Sequence, residues 1–188
     1  MIRIIAGEAR GRMLATPEGQ QTTRPSSERV REALFGSIQF DLLDCRVLDL
    51  FAGSGALAFE AVSRGAAFAL CNDHDRRSVA CLTENRCALG FVERVQIKSL
   101  EYGECLRQLA DQQQRFDFIF VDPPYDLGAY DDVIERISAA KLLSETGSLF
   151  IEHSGNWRCD PENIQRQGMQ VRRSKKYGKA ILERLVWV

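Results

Sequence analysis

The chain has 188 residues, of which 45% are hydrophobic and 27% charged, and its formal net charge is −1. This composition is typical of one globular domain, and no apolar run approaches the ~18 residues that a membrane span needs. The six cysteines contain no C-x-x-C pair, and the two histidines lie far apart. We therefore expect reduced thiols, a cytoplasmic protein, no metal site and no membrane association.

Charge is distributed unevenly along the chain. Residues 1–31 contain six arginines and three acids, and residues 158–188 contain eight basic and three acidic side chains. The segment between them contains eleven basic and twenty acidic groups. Basic ends that meet in space would form a positive surface for a polyanion. Charge alone leaves open the alternative that these side chains only solvate the surface.

Strand and helix signals alternate, which predicts an α/β fold with a largely parallel sheet. At the N-terminus, segments 2–5 and 12–14 are expected to form a small hairpin, followed by a helix that Ser26 or Ser27 caps and that ends at Ile38. The predicted central strands are 46–51, 68–72, 95–98, 116–121 and 148–152, and the helices that connect them are 54–64, 75–89, 101–111 and 130–140. Segments 169–172 and 180–187 favour an antiparallel hairpin at one edge of the sheet.

A glycine turn follows the first central strand. The segment Gly53-Ser54-Gly55-Ala56-Leu57-Ala58 fits the G-x-G-x-x-A pattern of dinucleotide-binding loops, and Asp73 follows Gly53 by 20 residues, the spacing at which an acid binds a ribose hydroxyl. A nicotinamide-dependent oxidoreductase is one interpretation. Asp49, at the end of the strand, favours another. A carboxylate there would repel a pyrophosphate but attract the α-ammonium group of S-adenosylmethionine (SAM).

A second motif, Asp122-Pro123-Pro124-Tyr125, follows the apolar strand 116–121. The Asp122 carboxylate and the Pro123 carbonyl suit the two N–H groups of a planar exocyclic amine, and Tyr125 offers a face on which a base can stack. The two prolines fix the backbone. An amine held in this way presents its lone pair to an electrophile, as methylation of a nucleobase requires. A rigid turn after a buried strand is the purely structural alternative.

The segments 49–56 (DLFAGSGA) and 122–125 (DPPY) resemble the signature motifs of class I SAM-dependent amino-methyltransferases. Segments 3–7 (RIIAG) and 24–35 (RPSSERVREALF), with Gly11-Arg12, are similar to the N-terminal region of the bacterial RsmD family, and the similarity continues to the terminal hairpin. The resemblance implies methyl transfer from SAM to the N2 amine of one guanine in 16S ribosomal RNA (rRNA). It also implies a doubly wound, mostly parallel seven-stranded sheet with SAM at the carboxyl ends of its strands.

Motifs and resemblance together give the expected organisation and site. Residues 1–40 are expected to form an extension that binds RNA and covers the cofactor cleft, and residues 41–188 to form the methyltransferase domain. The candidate catalytic residues are Asp122, Pro123 and Tyr125. The candidate cofactor residues are Asp49, Phe51, Gly53, Ser54, Gly55, Asp73, His74, Ser99, Leu100 and Asp122. The candidate RNA-binding residues are Arg10, Arg12, Arg24, Arg29, Arg31, Lys175, Lys176 and Lys179.

The third central strand departs from the family pattern. Relatives often have an Asp or Asn near the adenine at its end, whereas here Ser99 follows Lys98. We therefore expect the adenine contact from Ser99 or from the backbone of Leu100.

Two further interpretations remain at this stage. An adenine-N6 methyltransferase acting on DNA or RNA would use the same tetrapeptide, and a non-catalytic RNA-binding protein could keep the fold. Intact Asp49, Asp73 and Asp122 argue against the second. We expect a monomer that acts on 16S rRNA or on the small ribosomal subunit. We also expect the N-terminal extension and the turn at 175–179 to form one basic rim on the Asp122 side of the sheet.

Overall fold

Strands and helices alternate through the main part of the chain, as the sequence predicts. The computed structural model describes residues 2–17, 25–124 and 127–188. In chain order, the elements are β1 (Ile2–Arg3), β2 (Met13–Leu14), α1 (Pro25–Ile38), β3 (Arg46–Asp49), α2 (Ala56–Ser63), β4 (Phe68–Asn72), α3 (Arg76–Leu89), β5 (Val95–Lys98), α4 (Tyr102–Asp111), β6 (Phe116–Val121), α5 (Tyr130–Ala139), β7 (Leu143–His153), α6 (Pro161–Arg166), β8 (Met169–Tyr177) and β9 (Ala180–Trp187).

Seven strands form the main sheet in the order β5-β4-β3-β6-β7-β9-β8. The first five of these are parallel, β9 is antiparallel to β7, and β8 is antiparallel to β9. The predicted doubly wound, mostly parallel seven-stranded sheet is therefore confirmed. The strand order reverses between β3 and β6, and at such a point a crevice opens at the carboxyl ends of the strands. Asp49 ends β3 and Asp122 follows β6, so both acids lie at this crevice.

Side-chain alternation along the central strands builds a core on each face of the sheet. Phe118 and Phe120 of β6 pack in one cluster with residues of α1, α2 and α3. Ile119 and Val121 point to the opposite face, where residues of α4, α5 and α6 cover them. Because the strands are buried on both faces, their sequences are continuous apolar runs, which is typical of parallel sheets.

The N-terminal extension is fastened to α2 by a buried acid. The backbone amides of Ile5 and Ala6 donate to the Glu60 carboxylate at 2.7 and 3.0 Å, and Arg64 Nε donates to it at 2.7 Å. Gly7 then adopts a φ of +84°, and a Cβ there would lie 1.8 Å from the Ser63 carbonyl oxygen. The predicted hairpin forms as β1 and β2, which pair with Ile2 opposite Leu14.

Element boundaries differ from the prediction where local geometry overrides periodicity. The helix expected from Ser54 begins at Ala56, because Gly55 has a left-handed φ of +81°. β7 starts five residues before the predicted Ser148, and its pairing with β6 has an irregularity near Phe118. The short helix α6 was not predicted. No helix among the described residues is long and apolar enough to cross a membrane.

Candidate active site

The glycine loop 53–55, which follows β3, forms part of the wall of a cavity at the carboxyl edge of the sheet. The Ala52 amide donates to the Asn72 carbonyl at 2.9 Å, which ties the loop to the end of β4. Position 55 accepts only glycine, because a Cβ there would lie 2.3 Å from the Phe59 ring. The resulting cavity has a volume of about 530 Å³. That volume is in the usual range for sites that bind small molecules.

Asp49 is a buried acid in the wall of this cavity, with 1% of its surface exposed. Its Oδ2 accepts a 3.2 Å hydrogen bond from the Ala58 amide, whereas its Oδ1 has no hydrogen-bond partner among the described residues. Burial raises the pKa of Asp49 to about 8, against the lowering effect of the Ala58 hydrogen bond. A cationic ligand group beside Asp49 would satisfy the free oxygen and favour the ionised carboxylate.

Asp73 is held rigidly at the end of β4. Its Oδ2 accepts from the Gly53 amide at 2.8 Å and its Oδ1 from the Asp75 amide at 2.9 Å. Because each carboxylate oxygen has a further lone pair, Asp73 can still accept hydrogen bonds from a ligand in the cavity. This arrangement suits the two hydroxyls of a ribose.

Part of the cavity wall is made of aromatic and apolar side chains. This part includes Phe51, His74, Leu100 and Tyr102, and the rings of Phe51 and Tyr102 lie 5.7 Å apart between centroids. Such a surface suits a planar heterocycle such as adenine. Of the two alternatives for the adenine contact, Leu100 lines the cavity, whereas Ser99 is exposed and is absent from its wall.

Asp122 faces the same cavity from the end of β6. Its side chain is exposed to the cavity. The protein atoms around the carboxyl group nevertheless exclude part of its water, and this desolvation raises the pKa of Asp122 to about 6. Pro123 is buried, and Pro124 forms part of the wall and accepts a hydrogen bond from the Leu127 amide at 3.0 Å. The two prolines thus fix the backbone that follows the acid. Tyr125 lies outside the described residues.

The N-terminal extension closes one side of the cavity. Ile2, Arg3 and Met13 from the hairpin and Glu28 and Arg31 from α1 contribute to its wall. A ligand bound against Asp49 and Asp73 would therefore also contact the extension.

A family model described as "Conserved hypothetical protein 95" matches residues 2–186. The chain belongs to this family. It is 32% identical to the ribosomal RNA small subunit methyltransferase D of Escherichia coli K12 over 177 residues, with 88% of this chain and 86% of the relative covered. The resemblance to the RsmD family is thereby confirmed.

Solved structures support the assignment of the fold. A hypothetical protein of Thermus thermophilus, TTHA0928, superposes with a TM-score of 0.82 at 27% identity, with 100% of both chains covered. The protein SMU.776, solved as a complex with SAH, superposes with a TM-score of 0.68 at 16% identity over 85% of this chain and 49% of its own. The second likeness shows the methyltransferase fold alone.

Most of the cofactor residues predicted for this family member line one cavity. These are Asp49, Phe51, Gly53, Ser54, Asp73, His74, Leu100 and Asp122. Gly55 does not line the cavity, but its left-handed φ of +81° sets the course of the loop. Sequence reasoning missed Glu101, Tyr102 and Glu152, which also line the cavity. Each lies close to the carboxyl end of a strand, so inspection of the polar residues after every predicted strand would have found them.

Two of the predicted RNA-binding segments lie at opposite edges of the sheet. The turn that contains Lys175, Lys176 and Lys179 lies at the carboxyl edge, because Ile181 next to it pairs with His153 at the end of β7. Arg12 instead donates to the Ala88 carbonyl near the end of α3, at 2.6 Å. Helices that connect parallel strands end at the amino edge.

The prediction of a single basic rim is therefore wrong for Arg10 and Arg12, because the segment that contains them lies beside the ends of α2 and α3. Arg31 is a second correction. It is only 7% exposed, and its Nη2 donates to the Arg3 carbonyl at 2.9 Å. A buried guanidinium in the cavity wall does not present itself to surface phosphates. Arg29 is exposed on α1, and Arg24 lies outside the described residues.

Proposed function

We propose that the protein transfers a methyl group from SAM to the exocyclic N2 amine of a guanine in 16S rRNA. The observation that carries the proposal is the position of Asp122, which follows β6 and lines the same cavity as Asp49 and Asp73. The E. coli relative whose name specifies the ribosomal RNA small subunit supports the choice of substrate.

The cavity residues offer a suitable partner for each part of SAM. The unpartnered Oδ1 of the buried Asp49 suits the α-ammonium group, and Arg31 Nε, which is also without a partner among the described residues, suits the methionine carboxylate. Asp73 suits the ribose, and the Phe51 and Tyr102 side chains suit the adenine. A nicotinamide dinucleotide fits less well, because Asp49 would then face its pyrophosphate. When bound, SAM supplies an electrophilic methyl group.

The protein's own contribution is to orient the amine. A guanine N2 amine is a weak nucleophile, because its lone pair is delocalised into the ring. Hydrogen bonds from its two N–H groups to the Asp122 carboxylate and the Pro123 carbonyl would favour a pyramidal nitrogen and direct the lone pair away from the ring. Orientation and fixed electrostatics of this kind can account for most of the acceleration that an enzyme provides.

The target base must leave its helical stack to reach Asp122, because the acid lies in the wall of a cavity and a base paired within a duplex cannot enter it. We propose that Tyr125 stacks on the base, and that Lys175, Lys176, Lys179 and Arg29 bind rRNA phosphates. Residues 1–40 would hold the RNA and cover SAM. The protein is proposed to act as a cytoplasmic monomer on 16S rRNA or on the small subunit. The role of Arg10 and Arg12 in RNA binding stays a prediction, now at a distance from the cavity.

The direct test is methyl transfer from labelled SAM to small subunits and to free 16S rRNA from a strain that lacks this activity. The expected result is one labelled guanine, identified as N2-methylguanine by nucleoside analysis and mapped by primer extension. Label on an adenine N6 atom would show the adenine methyltransferase instead. Tight NAD binding without methyl transfer would overturn the proposal.

Asp73→Ala should weaken SAM binding by about 1–3 kcal/mol, the scale of hydrogen bonds that involve a charged group. Calorimetric titration of the purified variant measures this directly. Asp75→Asn is a matched control, because this neighbouring acid caps α3 through the Arg77 amide and does not line the cavity. Equal SAM affinity for Asp73→Ala and the control would contradict the ribose contact.

A further inference from the structure

Glu152 is an acid of the cavity wall to which the reaction as described gives no role. It lies near the carboxyl end of β7, the strand next to β6. Val121 of β6 pairs with Ile151 of β7, so Asp122 and Glu152 occupy the next position on two neighbouring strands. Neighbouring parallel strands lie about 4.8 Å apart, and paired positions point to the same face of the sheet. Glu152 therefore lies beside the acid that is proposed to hold the amine.

The surroundings of Glu152 indicate a ligand rather than an internal partner. Its carboxylate accepts no hydrogen bond from the described residues, and it is only half-buried because it borders the cavity. Burial and then the charge of Asp122 raise the pKa of Glu152 to about 8. The buried and unpartnered Asp49 Oδ1 belongs to the same cavity wall. Two adjacent carboxylates repel each other when both are ionised, and a ligand that donates one N–H group to each relieves that repulsion.

A guanine offers this pair of donors on one edge. Its N1–H group is adjacent to the N2 amine, whereas adenine has an acceptor at N1 beside its N6 amine. Resting on the proposed function, we propose that Glu152 accepts a hydrogen bond from N1–H of the target guanine while Asp122 holds the N2 amine, and that this contact selects guanine over adenine. Above about pH 8, where Glu152 is ionised, adenine in the same place would put its N1 lone pair against the carboxylate. A site discriminates strongly against a substrate that leaves one of its polar groups without a hydrogen-bond partner.

The test replaces the target guanine, once mapped, with 2-aminopurine in reconstituted small subunits. This base keeps the N2 amine but has no N1–H group. Above about pH 8, where Glu152 is ionised, wild-type enzyme should methylate the guanine at least about 10-fold faster than the 2-aminopurine in single turnover, in line with the 1–3 kcal/mol of a specific base contact. Glu152→Ala and Glu152→Met, which both lack the acceptor, should reduce this ratio to nearly one. Glu152→Gln keeps an acceptor oxygen and should retain part of the preference.

Two comparisons separate the outcomes. Glu145→Ala removes an exposed acid near the start of the same strand and should keep the wild-type ratio, and calorimetry should give every variant a SAM affinity within about threefold of wild type. Failure of the wild-type enzyme to methylate guanine would overturn the proposed function together with this inference. If the wild type does methylate guanine and Glu152→Ala or Glu152→Met keeps its preference over 2-aminopurine, only the role of Glu152 is overturned.

Discussion

Asp122→Ala should lower the single-turnover rate of methyl transfer by about 1,000-fold or more, with SAM affinity within a few-fold of wild type. The reason is that the carboxylate is proposed to position the nucleophile, and loss of one group that acts only on the reacting atoms typically costs 100- to 1,000-fold. Loss of orientation adds to that effect. Quenched-flow measurement at saturating SAM and subunit gives the rate, and calorimetry gives the affinity.

The matched control for this substitution is Glu135→Ala, which removes an exposed acid on α5, outside the cavity wall. Its rate should equal that of wild type. A rate for Asp122→Ala within tenfold of this control would refute the role of Asp122 in catalysis.

The same acid gives the reaction a pH dependence. Burial raises the pKa of Asp122 to about 6, so it is ionised at neutral pH and becomes protonated as the pH falls below that value. A protonated carboxyl group loses acceptor capacity for the amine, and the rate should therefore rise with pH through about 6. Asp122→Asn, which does not titrate, should lose this acidic limb along with most of its activity.

The sequence predicts the sheet and the position of the three acids for a physical reason. Apolar runs bounded by glycine and polar residues mark buried parallel strands, and the carboxyl ends of such strands meet at one edge. Asp49, Asp73 and Asp122 each lie at the end of such a strand or directly after it. Their convergence on one cavity therefore follows from local pattern and topology, without knowledge of any contact between side chains.

The remaining site residues depend on registers and turns that local pattern does not encode. Glu152 becomes a neighbour of Asp122 only through the pairing of β6 with β7, whose irregularity shifts the register by several residues. Arg31 was predicted to be a surface cation, yet the fold buries it against the Arg3 carbonyl. Charge and the expected cover over the cofactor cleft predict Arg10 and Arg12 at the rim, whereas the turn beside them is anchored to Ser63 at the opposite edge.

The buried Asp49 stabilises ligand binding at a cost to the fold. Its pKa in the folded protein is about 8, well above its ordinary value of 3.8. A raised carboxyl pKa contributes stability below pH 4, where both states are protonated on this group, and that contribution is lost as the pH rises through about 8. At pH 7 the unfolded chain ionises Asp49 while the folded protein holds it neutral, which corresponds to up to about 4 kcal/mol.

Asp49→Asn should therefore stabilise the ligand-free protein at pH 7 by about 1–3 kcal/mol, or several degrees in Tm, since the buried amide needs partners of its own and recovers only part of the cost. The gain over wild type should shrink as the pH is lowered from 7.5 to 5. The same variant should bind SAM about 10- to 100-fold more weakly, because it lacks the charge that faces the α-ammonium group. Wild-type SAM affinity should rise with pH between 5.5 and 7.5, because the ammonium group favours the ionised form of Asp49 and binding therefore releases a proton. The variant's affinity should change less over this range. Denaturant unfolding and calorimetry over this pH range measure both quantities. A variant that is less stable than wild type at pH 7, or that binds SAM with unchanged affinity, would show that Asp49 is a structural strand-end acid rather than the ligand of the cofactor's amino group.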